Sequence, residues 1–143
     1  MKKLLSISLL AAAFSVACSS QPIDTESTPA VPDAHTAEVS LDWNGTYEGV
    51  LPCASCEGIK TTLTLNNDKT YQLNEVYITN KPGQNTFNTK GKFAFDQQQS
   101  SLIRLDEQAD NRVFFVGENI LEARDAETGK VIEGNLNYTL NKK

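Results

Sequence analysis

No stretch of this 143-residue chain holds the roughly 18 consecutive apolar residues that a bilayer-spanning helix requires. Histidine occurs once, at His35, and methionine once, at the first position. A lone histidine ahead of the strand-patterned segment leaves a serine or cysteine nucleophile without a base, which argues against acyl-transfer catalysis. The chain has no basic stripe: 13 Lys and Arg face 18 Asp and Glu, for a formal charge of −5. That balance excludes a nucleic-acid-binding surface of the usual kind. The acids sit singly on outward strand positions and turns, so paired carboxylates for general acid–base work are absent too. No segment carries a sustained helical period, which excludes an α-helical fold. An enzyme is not expected.

What is present begins with Lys2 and Lys3, followed by the apolar run Leu4 to Phe14 and small residues before Cys18. A basic start, an apolar stretch of about 7–15 residues and a small-residue cleavage site describe an export signal over residues 1–17. Ser15-Val16-Ala17-Cys18 resembles a lipobox, with Ser15 where a large aliphatic residue usually stands. The cysteine count supports acylation at Cys18. Cys53 and Cys56 can satisfy each other, whereas a third free thiol is a liability in an oxidising compartment. Ser19, not Asp, follows Cys18, which resembles outer-membrane sorting. Ordinary cleavage, giving a soluble periplasmic protein, is the alternative. Residues 19–42 contain Pro22, Pro29 and Pro32, five acids and no Lys or Arg. Low hydrophobicity with like charge predicts a disordered tether over 18–42. It would reach roughly 80 Å fully extended and about 25–30 Å as a coil. His35 lies in this tether, where a solvated side chain is expected.

From Trp43 the pattern turns to period two, and residues 43–143 read as one domain. Ile59, Thr61, Leu63 and Leu65 alternate with Lys60, Thr62, Thr64 and Asn66, which predicts a half-buried strand. Asn66 to Lys69 supply a turn, and Tyr71 and Leu73 resume the inward face. Val76 and Ile78 fall on the opposite parity, so a β-bulge is expected near Asn74–Glu75. Further strands are marked by Gly91 to Phe95, Ile103 with Leu105, Val113 with Phe115, and Ile120-Leu121. The last strand is expected to alternate through Leu136, Tyr138 and Leu140. With Asn44–Leu51 this makes about eight short strands. Such a meander closes most simply into a small antiparallel up-and-down β-barrel, which removes exposed edges. Trp43, Tyr47, Tyr71, Phe93, Phe95, Phe114 or Phe115, and Tyr138 are the candidate core aromatics. Glu122 to Lys130 is expected to be a hairpin loop.

The segment with chemical character is Val50-Leu51-Pro52-Cys53-Ala54-Ser55-Cys56-Glu57-Gly58-Ile59. Two thiols three residues apart can close a disulfide, hold a soft ion such as Cu(I), or exchange electrons. The last option lacks the helix N-terminus that usually lowers a thiol pKa, because a strand follows. Zinc usually takes four ligands, and no second pair or nearby histidine supplies them.

Gly49 to Ile59 with Thr61 to Leu65 resembles the N-terminal domain of the NlpE family, outer-membrane lipoproteins linked to copper tolerance and envelope-stress signalling. Lys69-Thr70-Tyr71, Asn74-Glu75, Gly91-Lys92-Phe93 and Asn137-Tyr138-Thr139-Leu140 extend the similarity over about residues 43–140. The resemblance implies a lipocalin-like barrel with the cysteine pair near one rim. It reaches the N-terminal domain only, so redox sensing vested in the second, OB-like domain of longer relatives does not carry over.

Three functional classes follow. The first is a tethered interaction protein reporting envelope stress or surface contact to a partner, a sensor histidine kinase by the resemblance. The second is copper capture through Cys53 and Cys56. The third is a carrier of a small apolar ligand inside the barrel.

Overall fold

The computed structural model describes residues 36–143. The expected signal segment, Cys18, His35 and the tether up to residue 35 lie outside the described residues. A short helix, α1 (Ala37–Ser40), leads into β1 (Gly45–Leu51), β2 (Gly58–Leu65), β3 (Thr70–Ile78) and β4 (Thr86–Phe95). Then come β5 (Leu102–Leu105), a 3-10 turn over Glu107–Ala109, β6 (Val113–Gly117), β7 (Ile120–Arg124) and β8 (Thr139–Lys142). Each strand pairs antiparallel with the next, and β8 returns to β1, so the sheet is a closed eight-stranded barrel. The up-and-down barrel anticipated from the strand spacing is the fold. Closure rests on a short seam, Tyr47 opposite Lys142 and Glu48 opposite Asn141.

Because the strands alternate in direction, the connections divide between two ends. One end gathers the turns 66–69, 96–101 and 118–119 together with α1 and Trp43. The other gathers the longer connections 52–57, 79–85, 106–112 and 125–138. The Trp43 end is plugged. Trp43 meets Phe93 and Phe95 edge-on at centroid distances of 5.7 and 5.6 Å. Lys69 lies 4.5 Å over the Trp43 ring and forms an ion pair with Glu38. The Tyr47 hydroxyl donates to the Trp43 carbonyl at 2.7 Å inside the barrel. Ala37 joins the core, and the Trp43 indole donates to the Glu38 carbonyl at 3.0 Å. The ordered domain therefore starts before Trp43. A four-residue helix has no stability of its own, and tertiary burial of Ala37 is what fixes it.

Two local expectations are corrected, and the choice left open between Phe114 and Phe115 is decided. No bulge interrupts β3: its register with β2 runs unbroken from Gly58 opposite Ile78 to Leu65 opposite Tyr71. The inward parity Tyr71, Leu73 simply continues to Glu75, which is 5% exposed, while Val76 and Ile78 face outward. On β6 the core residues are Phe114 and Val116, whereas Phe115 faces outward, with the Arg124 guanidinium 4.9 Å over its ring. The last strand is shorter than its alternation suggests: β8 starts at Thr139, and Leu136 is exposed. Residues 125–138 form a loop instead. Asp125 begins it by accepting from the Thr128 amide at 2.8 Å, and the backbone closes from Gly129 N–H to Asp125 C=O at 2.8 Å. The hairpin-type connection expected over 122–130 therefore lies further along: Glu122–Arg124 belong to β7, and the loop runs on to 138.

Candidate functional site

The loop end of the barrel holds the features that core packing does not explain. Cys53 and Cys56 lie on the β1–β2 connection and are joined as a disulfide, with Cα atoms 5.3 Å apart. Both cysteines are half-buried, and Ala54 and Ser55 between them are exposed. Leu51 anchors one flank inside the barrel. The Glu57 amide, donating to the Ile78 carbonyl at 3.0 Å, ties the other flank to the end of β3. The loop is thus presented outward on a fixed base. A shallow surface cleft of about 410 Å³ runs beside it, between Ala54–Glu57 and Ile78–Lys81.

Beneath the rim the barrel interior contains charge. Arg112 donates to both oxygens of Glu75, at 2.6 and 3.1 Å, in a bidentate pair. The Glu75 side chain is 7% exposed and that of Arg112 31%. Burial pulls the Arg112 guanidinium down, but the hydrogen bonds and charge of Glu75, with Asp110 nearby, hold it above its ordinary range. Removing two charges from water costs several kcal/mol per ion, and an apolar pair of similar size serves stability equally well or better. A charge pair kept in a small barrel interior therefore points to specificity or binding.

The pair divides the mouth in two. On one side is an apolar cup of about 250 Å³ lined by Leu51, Ile59, Phe114, Ala123, Ile132 and Tyr138. On the other is a more polar recess of about 210 Å³ bounded by Tyr77, Phe87, Thr89 and Asp110. Asp106, at the start of the 106–112 connection, braces this region: it accepts from the Lys92 amide at 2.7 Å and from the Tyr71 hydroxyl at 2.8 Å. Those bonds hold its carboxyl below the usual range, the Lys92 amide contributing most. Burial and the same hydrogen bond push the Tyr71 hydroxyl up. Gly91 makes this possible, since a Cβ there would collide with the Asp106 carboxylate.

Of the residues singled out in the sequence, Cys53 and Cys56 are together at this end, and Cys18 is outside the described residues. Among the described residues there is no histidine, and no group of three or more His, Cys, Asp or Glu side chains is placed to hold a metal ion. As a disulfide, neither sulfur is a thiolate ligand; once reduced, the two would suit a soft ion such as Cu(I). Glu75 and Arg112 were not visible as a site. The available signal was an acid on the inward parity of an otherwise clean strand.

The NlpE N-terminal domain profile matches residues 47–135. Lipoprotein NlpE of Escherichia coli (strain K12) is 36% identical over 94 residues, which span 66% of this chain and 39% of that protein. A crystal structure of a Shewanella oneidensis chain assigned as a lipoprotein is 45% identical, with a TM-score of 0.68 over 76% of this chain and 96% of that one. The crystal structure of the Cpx pathway activator NlpE from Escherichia coli is 34% identical, with a TM-score of 0.54 over 69% of this chain and 50% of that one. The chain thus spans about two-fifths to half the length of the Escherichia coli relative. With the profile covering most of the barrel and the barrel itself shared, the chain belongs to the NlpE N-terminal domain family.

Proposed function

We propose that this chain is a lipid-anchored, non-enzymatic reporter of envelope state that acts by docking a partner protein, a sensor histidine kinase in the facing membrane. The observation that carries the reading is likeness to a pathway activator on a barrel whose two ends differ. The first described residues enter at the plugged Trp43 end, and the disulfide loop, the cleft and the charged mouth lie at the opposite end. With Cys18 acylated and the outer membrane as its site, the chain ahead of the described residues would hold the barrel by its plugged end and leave the loop end to meet a partner. Acyl chains contribute about 0.8 kcal/mol per buried methylene, so several make the attachment durable. Response then follows mass action, rising as more domain reaches the partner.

Overproduction of the full chain should induce an envelope-stress reporter, and Ser19→Asp, which redirects the anchor to the inner membrane, should strengthen it. A flat reporter in both strains rejects the reading. Copper capture is the second reading, favoured by the outward placement of Cys53 and Cys56. It requires reduction of the disulfide first, so Cu(I) should bind only after thiol reduction and not to the Cys53→Ser, Cys56→Ser variant.

A further inference from the structure

The cup beside the Glu75–Arg112 pair has the properties of a small-molecule site. Its volume, about 250 Å³, is that of roughly eight waters, room for a ligand of about eight to ten non-hydrogen atoms. Its walls are mainly apolar, with a few polar groups converging at one side, the usual make-up of a binding pocket. Those polar groups fix what it takes. One guanidinium faces the cup, that of Arg112, and it already holds the Glu75 carboxylate; the Arg124 guanidinium lies on the outer face of β7, over the Phe115 ring and beside Glu122. The paired charges cancel, so neither an anion nor a cation gains a net partner, while each would lose its hydration on entry.

Hydrogen-bonding capacity does not cancel. A guanidinium has five donors and no acceptor. Arg112 uses two of its five on Glu75 and keeps three. The wall is neutral in charge and rich in donors. We propose that the cup binds a small uncharged amphiphile, its apolar end against Phe114, Ala123 and Tyr138 and a neutral acceptor group, such as a carbonyl, received by the remaining Arg112 donors. This inference does not rest on partner docking and stands or falls apart from it.

The test compares three ligands of one chain length: heptanamide, heptanoate and heptylamine. They are titrated into the full chain made without acylation by Cys18→Ser, followed by NMR shifts of the Ala123 methyl and the Phe114 and Tyr138 rings. Heptanamide should bind at least about tenfold more tightly than either charged analogue. In Glu75→Gln, which frees Arg112 of its counter-charge at nearly constant shape, heptanoate should gain at least about tenfold relative to heptanamide. Ala123→Leu, which fills the cup from β7, should abolish heptanamide binding while the barrel still melts cooperatively, and it keeps the test available if Glu75→Gln does not fold. Equal affinity for all three ligands, no binding of heptanamide, or undiminished binding to Ala123→Leu overturns the proposal.

Discussion

Replacing Arg112 by Met while keeping Glu75 measures what the buried pair costs and what it returns. The variant retains an apolar stem of similar length and strands the Glu75 carboxylate, whose side chain is 7% exposed. Breaking a fully buried pair from one side costs about 3–5 kcal/mol, because the remaining charge has lost its partner and cannot regain water. Arg112 is 31% exposed, so water reaches part of the site, and the lower end of that range, about 3 kcal/mol, is expected. For a domain of this size that corresponds to a fall in melting temperature of roughly 12 °C or more. The companion variant Glu75→Leu, Arg112→Met removes both charges, and its stability should return to within about 1 kcal/mol of the parent. Urea denaturation of the parent, both single variants and the double closes a thermodynamic cycle whose coupling term is the pair's own contribution. Lys143→Ala serves as the control, since its pairing with Glu48 is exposed to solvent and contributes little to stability. If Arg112→Met costs no more than the control, or if the double variant is less stable than the single, the reasoning from burial is wrong.

The Cys53→Ser, Cys56→Ser variant should stay folded, losing about 2 kcal/mol in denaturant melts, because a four-residue loop constrains the unfolded chain little; loss of the barrel would make the bridge an essential staple. Gly49→Ala should cost about 1–3 kcal/mol, since its Cβ would stand 2.7 Å from the Thr139 carbonyl and push apart the β1–β8 seam that closes the barrel; unchanged stability would show that the seam adjusts freely. Burial, reinforced by Asp42, raises the Tyr47 hydroxyl to about 12, and burial also raises Tyr71. Both stay protonated in the fold above the unfolded value near 10, so stability is full below about pH 10 and falls as pH rises beyond it. The phenolate absorbance of Tyr47 and Tyr71 should therefore appear together with unfolding; ionisation of both near pH 10 in a barrel that stays folded would contradict it. The Asp106 carboxyl is depressed, so its contribution is present above the unfolded value of about 3.9 and lost as pH falls below that. Asp106→Asn should flatten the acid limb of the stability profile.

Strand number and connectivity were legible because period-two alternation and turn residues are local signals. The run from Ile59 to Leu65 needs no partner to declare its inward face, and eight adjacent strands with short turns leave closure as the simplest way to satisfy their edges. The cysteine segment was legible for the same reason, as a short contiguous motif. Glu75 was misread as a break in phase because hydropathy alone assigns an acid to the solvent. What makes it tolerable inside is Arg112, 37 residues away, and only closure of the barrel brings the two within 2.6 Å. Leu136 erred in the opposite direction, its alternation real but lacking a neighbouring strand to pair with. The end of the tether was equally hidden: Ala37 through Asp42 read as polar coil, and Ala37 becomes core only where Trp43 and the Lys69 turn meet at the plugged end. The sequence by itself determined the pattern of faces and turns, because side-chain alternation and turn preference act over a few residues. The tertiary structure alone decided which charge goes inside, where the loop end opens and what the cup can hold, because those depend on pairs that the chain brings together only on folding.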